Sequence, residues 1–123
     1  MAVRLKRVYE KTGGHDGTRV LIDRVWPRGV RKSEAGIDLW LKEIAPSTEL
    51  RKWFGHDSEK WLDFKSRFFR ELDQNAALVE KLSKMNQRGT VTLVFGAKDA
   101  KHNNAVALKE YLEQGIEGRM VRG

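Results

Sequence analysis

Two short apolar runs that favour β-strands, with a long helical stretch between them, constrain the fold of this chain most strongly. The first run covers residues 19–25 and includes Val20-Leu21-Ile22, and the second is Thr-Val-Thr-Leu-Val-Phe at residues 90–95. Nearly continuous apolar and β-branched runs are typical of strands covered on both faces. If the two strands are parallel neighbours, the residues between them form the crossover connection. Their carboxyl ends then lie side by side.

The stretch between the two runs carries helical patterns, and we expect helices over most of residues 38–86. Apolar residues recur at helical spacing there, and polar caps separate them. The expected boundaries are Ser47 and Gly55 for one helix, Asp57 for the start of the next, Asn75 and Gly89 for a third, and Asn103 or Asn104 for the start of a last helix.

These patterns predict an α/β fold: a single small domain at residues 1–114, with a short, mostly parallel sheet flanked by several helices. A further short strand is expected at residues 5–9. The C-terminal residues contain Ile116-Glu117-Gly118-Arg119, which is similar to a protease recognition sequence used to remove tags. We therefore expect residues 115–123 to be a disordered tail or a cloning scar.

The composition excludes several classes of protein. The chain has 123 residues and no cysteine, which removes disulfides and thiolate chemistry and fits a reducing cytoplasm. No apolar run approaches the roughly 20 residues of a membrane span, so we expect a cytoplasmic protein without a membrane partner. Three histidines without metal-ligand spacing predict no metal site, and no cofactor is expected. The net charge of +7 favours an acidic partner.

Charged side chains follow the first apolar run. Asp23, Arg24 and Arg28 come directly after it with Trp26 between them, and Pro27 stops the strand. Ligands of α/β sheets bind outside the carboxyl ends of the strands. Arginine binds a carboxylate or phosphate through two parallel hydrogen bonds. Asp23 could orient an arginine or act as a base, and Trp26 could form the wall of a pocket.

A second polar cluster follows the second run, just before the last expected helix, whose N-terminus favours anions. Within it, His102 can hold or transfer a proton near neutral pH. The two clusters predict an anion-binding crevice in which Asp23 and His102 are candidate catalytic residues. The candidate ligand-binding residues are Arg24, Trp26, Arg28, Lys98, Asp99, Asn103 and Asn104.

Each of these residues also has a structural explanation, and three functions stay open. Asp23 could simply pair with an arginine, and the asparagines could be caps. The first function is binding of an anionic small molecule, with or without catalysis. The second is a nucleic-acid-binding module, because bases alternate with aromatics at residues 51–53 and 65–70. The third is a structural or interaction protein without a pocket.

Several segments together resemble a known family. They are Asp-Arg-Val-Trp-Pro-Arg-Gly at residues 23–29, the segments 40–42, 45–47 and 50–57, and the segments 91–94, 98–99 and 102–105. In this order they are similar to the YeaO-like bacterial proteins, within domain-of-unknown-function family 488. The resemblance covers the chain to about residue 114 and implies a small cytoplasmic bacterial α/β protein of uncharacterised activity. More distant members tend to carry a cysteine motif at the position of residues 96–104, so a thiol-dependent role does not carry over to this chain.

Overall fold

A parallel sheet of four strands organises the molecule. The computed structural model describes residues 3–121, with side chains through residue 114. Its strands are β1 (Val3–Arg7), β2 (Thr18–Leu21), β3 (Leu39–Trp40) and β4 (Val91–Phe95). They form one sheet in the order β1-β4-β2-β3, and every neighbouring pair is parallel.

The described residues also form five α-helices. They are α1 (Lys32–Ala35), α2 (Thr48–Phe54), α3 (Trp61–Asp73), α4 (Ala76–Arg88) and α5 (Asn104–Val121), with 3-10 turns at Lys42–Ile44 and Ser58–Lys60. The predicted α/β fold with a parallel sheet is therefore confirmed. None of the helices in this part of the chain is both long and apolar enough to cross a membrane.

Both faces of the sheet are covered, as the apolar runs predict. Because side chains alternate along a strand, Leu93 of β4 points into the large core formed with α2, α3, α4 and α5, whereas Val94 points to the opposite face. There Val94 packs with Leu21 of β2 in a smaller cluster, which Trp26 and Trp40 cover. The loops after β2 thus close the face that the long helices leave open.

The crossover and most helix ends agree with the sequence prediction. Strands β2 and β4 pair in parallel, with Leu21 beside Val94, so their carboxyl ends are neighbours. The Ser47 side chain caps α2 by accepting a hydrogen bond from the Leu50 amide, and Gly55 ends the same helix. Asn103 caps α5 through a hydrogen bond from the Val106 amide to its Oδ1.

Three boundaries differ from the prediction. The strand expected at residues 19–25 ends at Leu21, because the chain then turns and the Asp23 carbonyl accepts a hydrogen bond from Trp40 Nε1. The first strand is Val3–Arg7 rather than residues 5–9. The helix expected from residue 38 is wrong over Leu39–Trp40, which form the edge strand β3. The disordered tail or cloning scar expected at residues 115–123 stays a prediction, because no side chain is described there and residues 122 and 123 lie outside the described residues.

A buried ion network joins the strands at the amino end of the sheet. The Asp16 carboxylate, 3% exposed, lies 2.6 Å from Arg19 Nη1 and 2.9 Å from Lys6 Nζ, and it accepts a hydrogen bond from the Gly13 amide. The Arg19 guanidinium also donates to the carbonyl of Gly36. The Gly13 amide and the Lys6 ammonium hold the pKa of Asp16 well below its ordinary value.

We expect Asp16→Asn to lower the free energy of unfolding at pH 7 by about 3 kcal/mol, because it leaves two cations short of a buried partner. Since the pKa of Asp16 is lowered in the folded state, its contribution is present above the ordinary pKa of Asp and is lost as the pH falls below about 4. The difference between the two proteins should therefore shrink in acid. Urea unfolding from pH 3 to pH 7 measures it. Asp63→Asn, an exposed control in α3, should change stability by less than about 0.5 kcal/mol.

Candidate functional site

A cavity of about 370 Å³ opens at the carboxyl ends of β2 and β4. The parallel pairing of the two strands creates it, because the segments after Leu21 and after Phe95 leave the sheet side by side. Its walls are mostly apolar, and they include Phe54 of α2 and Phe64 of α3. The other apolar lining residues are Val25, Trp26, Pro27, Ala45, Pro46 and Ala97.

Asp23 is the acidic residue of the cavity. Its Oδ2 accepts a hydrogen bond from the Gly96 amide at 2.9 Å, and its Oδ1 accepts one from Asn104 Nδ2 at 3.1 Å. Asn104 Nδ2 also donates to the Ile22 carbonyl, which holds the amide in place. Burial raises the pKa of Asp23 above its ordinary value, against the opposing effects of Asn104, Gly96 and the positive charge of Arg51.

Three arginines line the cavity, and they differ in what they bind. Arg24 donates from Nε to the Pro46 carbonyl and from Nη2 to the Ala45 carbonyl. Two of its donor atoms are therefore engaged by the backbone. Arg28 and Arg51 are both exposed. Among the described residues, neither of their guanidinium groups has a hydrogen-bond or ion-pair partner. Two cations at the cavity are therefore available to a ligand.

Two histidines, His56 and His102, also line the cavity. His102 Nδ1 lies 2.9 Å from Asp99 Oδ2, and its ring packs edge-on against Trp61. Hydrogen bonds from the Lys101 amide and from His102 hold the pKa of Asp99 below its ordinary value. His56 has a backbone φ of +59°. This left-handed conformation is uncommon for a residue other than glycine and is often found at functional sites.

The structure brings most of the predicted site residues to this cavity. Seven of them line it: Asp23, Arg24, Trp26, Arg28, His102, Asn103 and Asn104. Lys98 and Asp99 do not line it; Asp99 instead supports His102 from behind. Asn103 serves mainly as the α5 cap, and Trp26 packs against Trp40 and donates to the Val30 carbonyl.

The sequence prediction missed three polar residues of the cavity lining: Arg51, His56 and Tyr9. Arg51 and His56 reach the cavity from α2 and from the turn after it, and Tyr9 reaches it from the loop after β1. The short segments Arg51-Lys52-Trp53 and Gly55-His56-Asp57 stand out in the sequence, but nothing in their spacing relates them to Asp23. Among the residues that the structure describes, no group of three or more His, Cys, Asp or Glu is placed to hold a metal ion.

The fold and the cavity define a small parallel α/β protein with a charged cavity at the carboxyl edge of its sheet. The chain belongs to the family described as the inactive DUF488-N3 subclade, whose profile matches residues 2–122. This confirms its predicted place among YeaO-like proteins of domain-of-unknown-function family 488.

The relatives are bacterial and uncharacterised. The chain is 43% identical over 110 residues to uncharacterised proteins of Mycobacterium tuberculosis and Mycobacterium bovis, which covers 89% of this chain and 92% of each relative. It is 38% identical over 112 residues to the uncharacterised protein YeaO of Escherichia coli, which covers 91% of this chain and 97% of that protein. A comparison with solved structures found no match.

We expect Gly55→Ala to destabilise the protein by about 1 kcal/mol, because Gly55 has a φ of +53° that an L side chain rarely adopts. The new methyl group would make only an ordinary contact of 3.6 Å with the Lys52 carbonyl, so the cost lies in the backbone. Gly14→Ala is the control, since its Cβ would meet nothing within 4 Å and its φ is not left-handed. Urea unfolding of both variants measures the effect, and equal stabilities would contradict it.

Proposed function

We propose that this protein binds a small anionic molecule, with a phosphate or carboxylate group, in the cavity at the ends of β2 and β4. The observation that carries the proposal is the pair Arg28 and Arg51. Both side chains line the cavity, and neither has a hydrogen-bond or ion-pair partner among the described residues. Guanidinium groups bind carboxylates and phosphates through two parallel hydrogen bonds.

The apolar walls of the cavity favour a small organic anion over an inorganic ion as the ligand. Phe54, Phe64 and Pro46 present apolar surface beside the charged groups. Ligand sites of this kind combine mostly apolar walls with a few convergent polar groups.

Binding without turnover fits this protein better than catalysis does. Asp23 and His102 both line the cavity and are the candidate acid–base groups, which keeps the enzymatic alternative open to test. The family is described as an inactive subclade, which favours a binding protein. Turnover of a bound phosphate ester is therefore not expected.

The surface tryptophans support the small-molecule proposal over nucleic-acid binding. The Trp53 ring lies under Arg67 Cζ at 4.1 Å and near Lys60 Nζ at 5.1 Å, and Lys65 Nζ lies 5.6 Å from the Trp61 ring. Single-stranded nucleic acids bind by stacking bases on free aromatic faces. These cations occupy faces that stacking would need.

We expect phenyl phosphate or 3-phenylpropionate to raise the melting temperature at millimolar concentration, because each combines an anion with an apolar ring and binds the folded state. Arg51→Ala should weaken binding of the effective probe by at least about tenfold, which corresponds to the loss of one charge-assisted contact. Isothermal titration calorimetry at constant ionic strength measures the affinities. Lys52→Ala is the matched control: it removes the same charge from the next residue of α2, which does not line the cavity.

Equal losses in the Arg51→Ala and Lys52→Ala variants would contradict the proposal, as would the absence of binding by both probes. Release of phenol from phenyl phosphate by the purified protein would show an enzyme instead. Binding of a labelled single-stranded oligonucleotide that falls steeply with salt, and that Arg51→Ala leaves unchanged, would assign the nucleic-acid function in place of this one.

A further inference from the structure

We infer that Asp23 makes the cavity selective for an anion that carries its own hydrogen-bond donor, so that it takes a phosphate monoester in preference to a sulfate ester. The inference rests on the proposed function, because it concerns the same cavity. In it, Asp23 discriminates between anions, and the preferred ligand is a phosphate monoester.

The first step is the free acceptor capacity of Asp23. Its Oδ2 accepts from the Gly96 amide and its Oδ1 from Asn104 Nδ2, one hydrogen bond from the protein on each oxygen. A carboxylate has about four acceptor positions. Two positions therefore stay available, and Asp23 is part of the cavity lining. The oxygens are fixed acceptors, since Gly96 belongs to the backbone and Asn104 is anchored on the Ile22 carbonyl.

The second step is the charge that an incoming anion meets. Arg28 and Arg51 attract it, whereas an ionised Asp23 repels any oxygen that brings only negative charge. Burial already raises the pKa of Asp23, so its carboxylate lacks the stabilisation that water would give. A ligand hydroxyl that donates to Asp23 removes the repulsion and supplies the missing hydrogen bond. An anion without a donor is still repelled by the ionised Asp23 and leaves its carboxylate without that hydrogen bond.

The third step is the choice of phosphate. The guanidinium groups of Arg28 and Arg51 both line the cavity, and neither has a hydrogen-bond or ion-pair partner in the described part of the chain, so the site offers two cations where a single carboxylate needs one. A phosphate monoester loses its second proton with a pKa near 6, so near pH 6 about half of it carries both a negative charge and a P–OH donor. A sulfate ester has the same tetrahedral shape but no proton to donate.

The test compares phenyl phosphate with phenyl sulfate at pH 6, where about half of the phosphate is the monoanion with its P–OH group. Isothermal titration calorimetry is run on the wild type and on Asp23→Asn, at equal ionic strength. We expect the wild type to prefer phenyl phosphate by at least about tenfold. In Asp23→Asn the ratio should fall to about threefold or less, and phenyl sulfate should bind more tightly than to the wild type, because the repulsion is gone and an amide N–H can donate.

Two further measurements separate this inference from the proposed function. Arg51→Ala should weaken both probes by a similar factor, since it removes the shared anion contact. If the wild type binds both probes with similar affinity and Arg51→Ala weakens both, the selectivity is wrong and the anion site stands. If neither probe binds, both are wrong. Circular dichroism tests whether Asp23→Asn is folded, and Asp23→Ser makes the same comparison if it is not. A wild-type ratio of the two affinities, phenyl phosphate over phenyl sulfate, below about threefold overturns the inference by itself.

Discussion

The parallel pairing of β2 with β4 is the constraint on which the cavity depends. Beyond the last paired residues of β2, the Ile22 amide still donates to the Val94 carbonyl at 3.1 Å, and then the Asp23 side chain replaces the backbone by accepting from the Gly96 amide. A Cβ on residue 96 would lie 3.1 Å from Asp23 Oδ2 and 3.4 Å from Pro27. The close approach of the two strand ends therefore leaves little room for a side chain at residue 96, and the Gly96 amide sets the position of Asp23.

Helix α2 forms another wall of the cavity, and its start is held by side chains from two other parts of the fold. At its start, Ser47 bonds Glu71 of α3 twice, from its amide at 2.8 Å and from its Oγ at 2.6 Å. The Arg24 guanidinium donates to the carbonyls of Ala45 and Pro46, which directly precede Ser47. These contacts hold the start of α2 against α3 and against the loop after β2. Arg51 and His56 consequently reach the same cavity as Asp23, although they are far from it in the sequence.

The sequence predicts those parts of the fold that local patterns encode. The apolar runs identify β2 and β4, and Ser47, Gly55 and Asn103 mark helix ends through their preference for caps. The two-residue strand at Leu39–Trp40 carries no such pattern, since its pairing depends on the neighbouring β2 and not on its own residues. The same contrast holds for the site residues. The sequence predicts those that follow a strand, such as Asp23 and His102, but it does not predict Arg51 and His56, which reach the cavity only through the tertiary packing of α2.

The hydrogen bonds within the cavity hold its polar side chains in fixed positions. Asp23 has one oxygen held by the Gly96 amide and the other by Asn104, which fixes the position of the carboxylate and leaves its remaining acceptor positions for a ligand. His102 is tied to Asp99, which keeps the ring oriented beside Trp61. A fixed acceptor in the same cavity as Arg28 and Arg51 suits discrimination between similar anions, because selectivity comes from groups that cannot move to accommodate the wrong ligand. The proposed binding of a small anion is therefore consistent with the way these side chains are held.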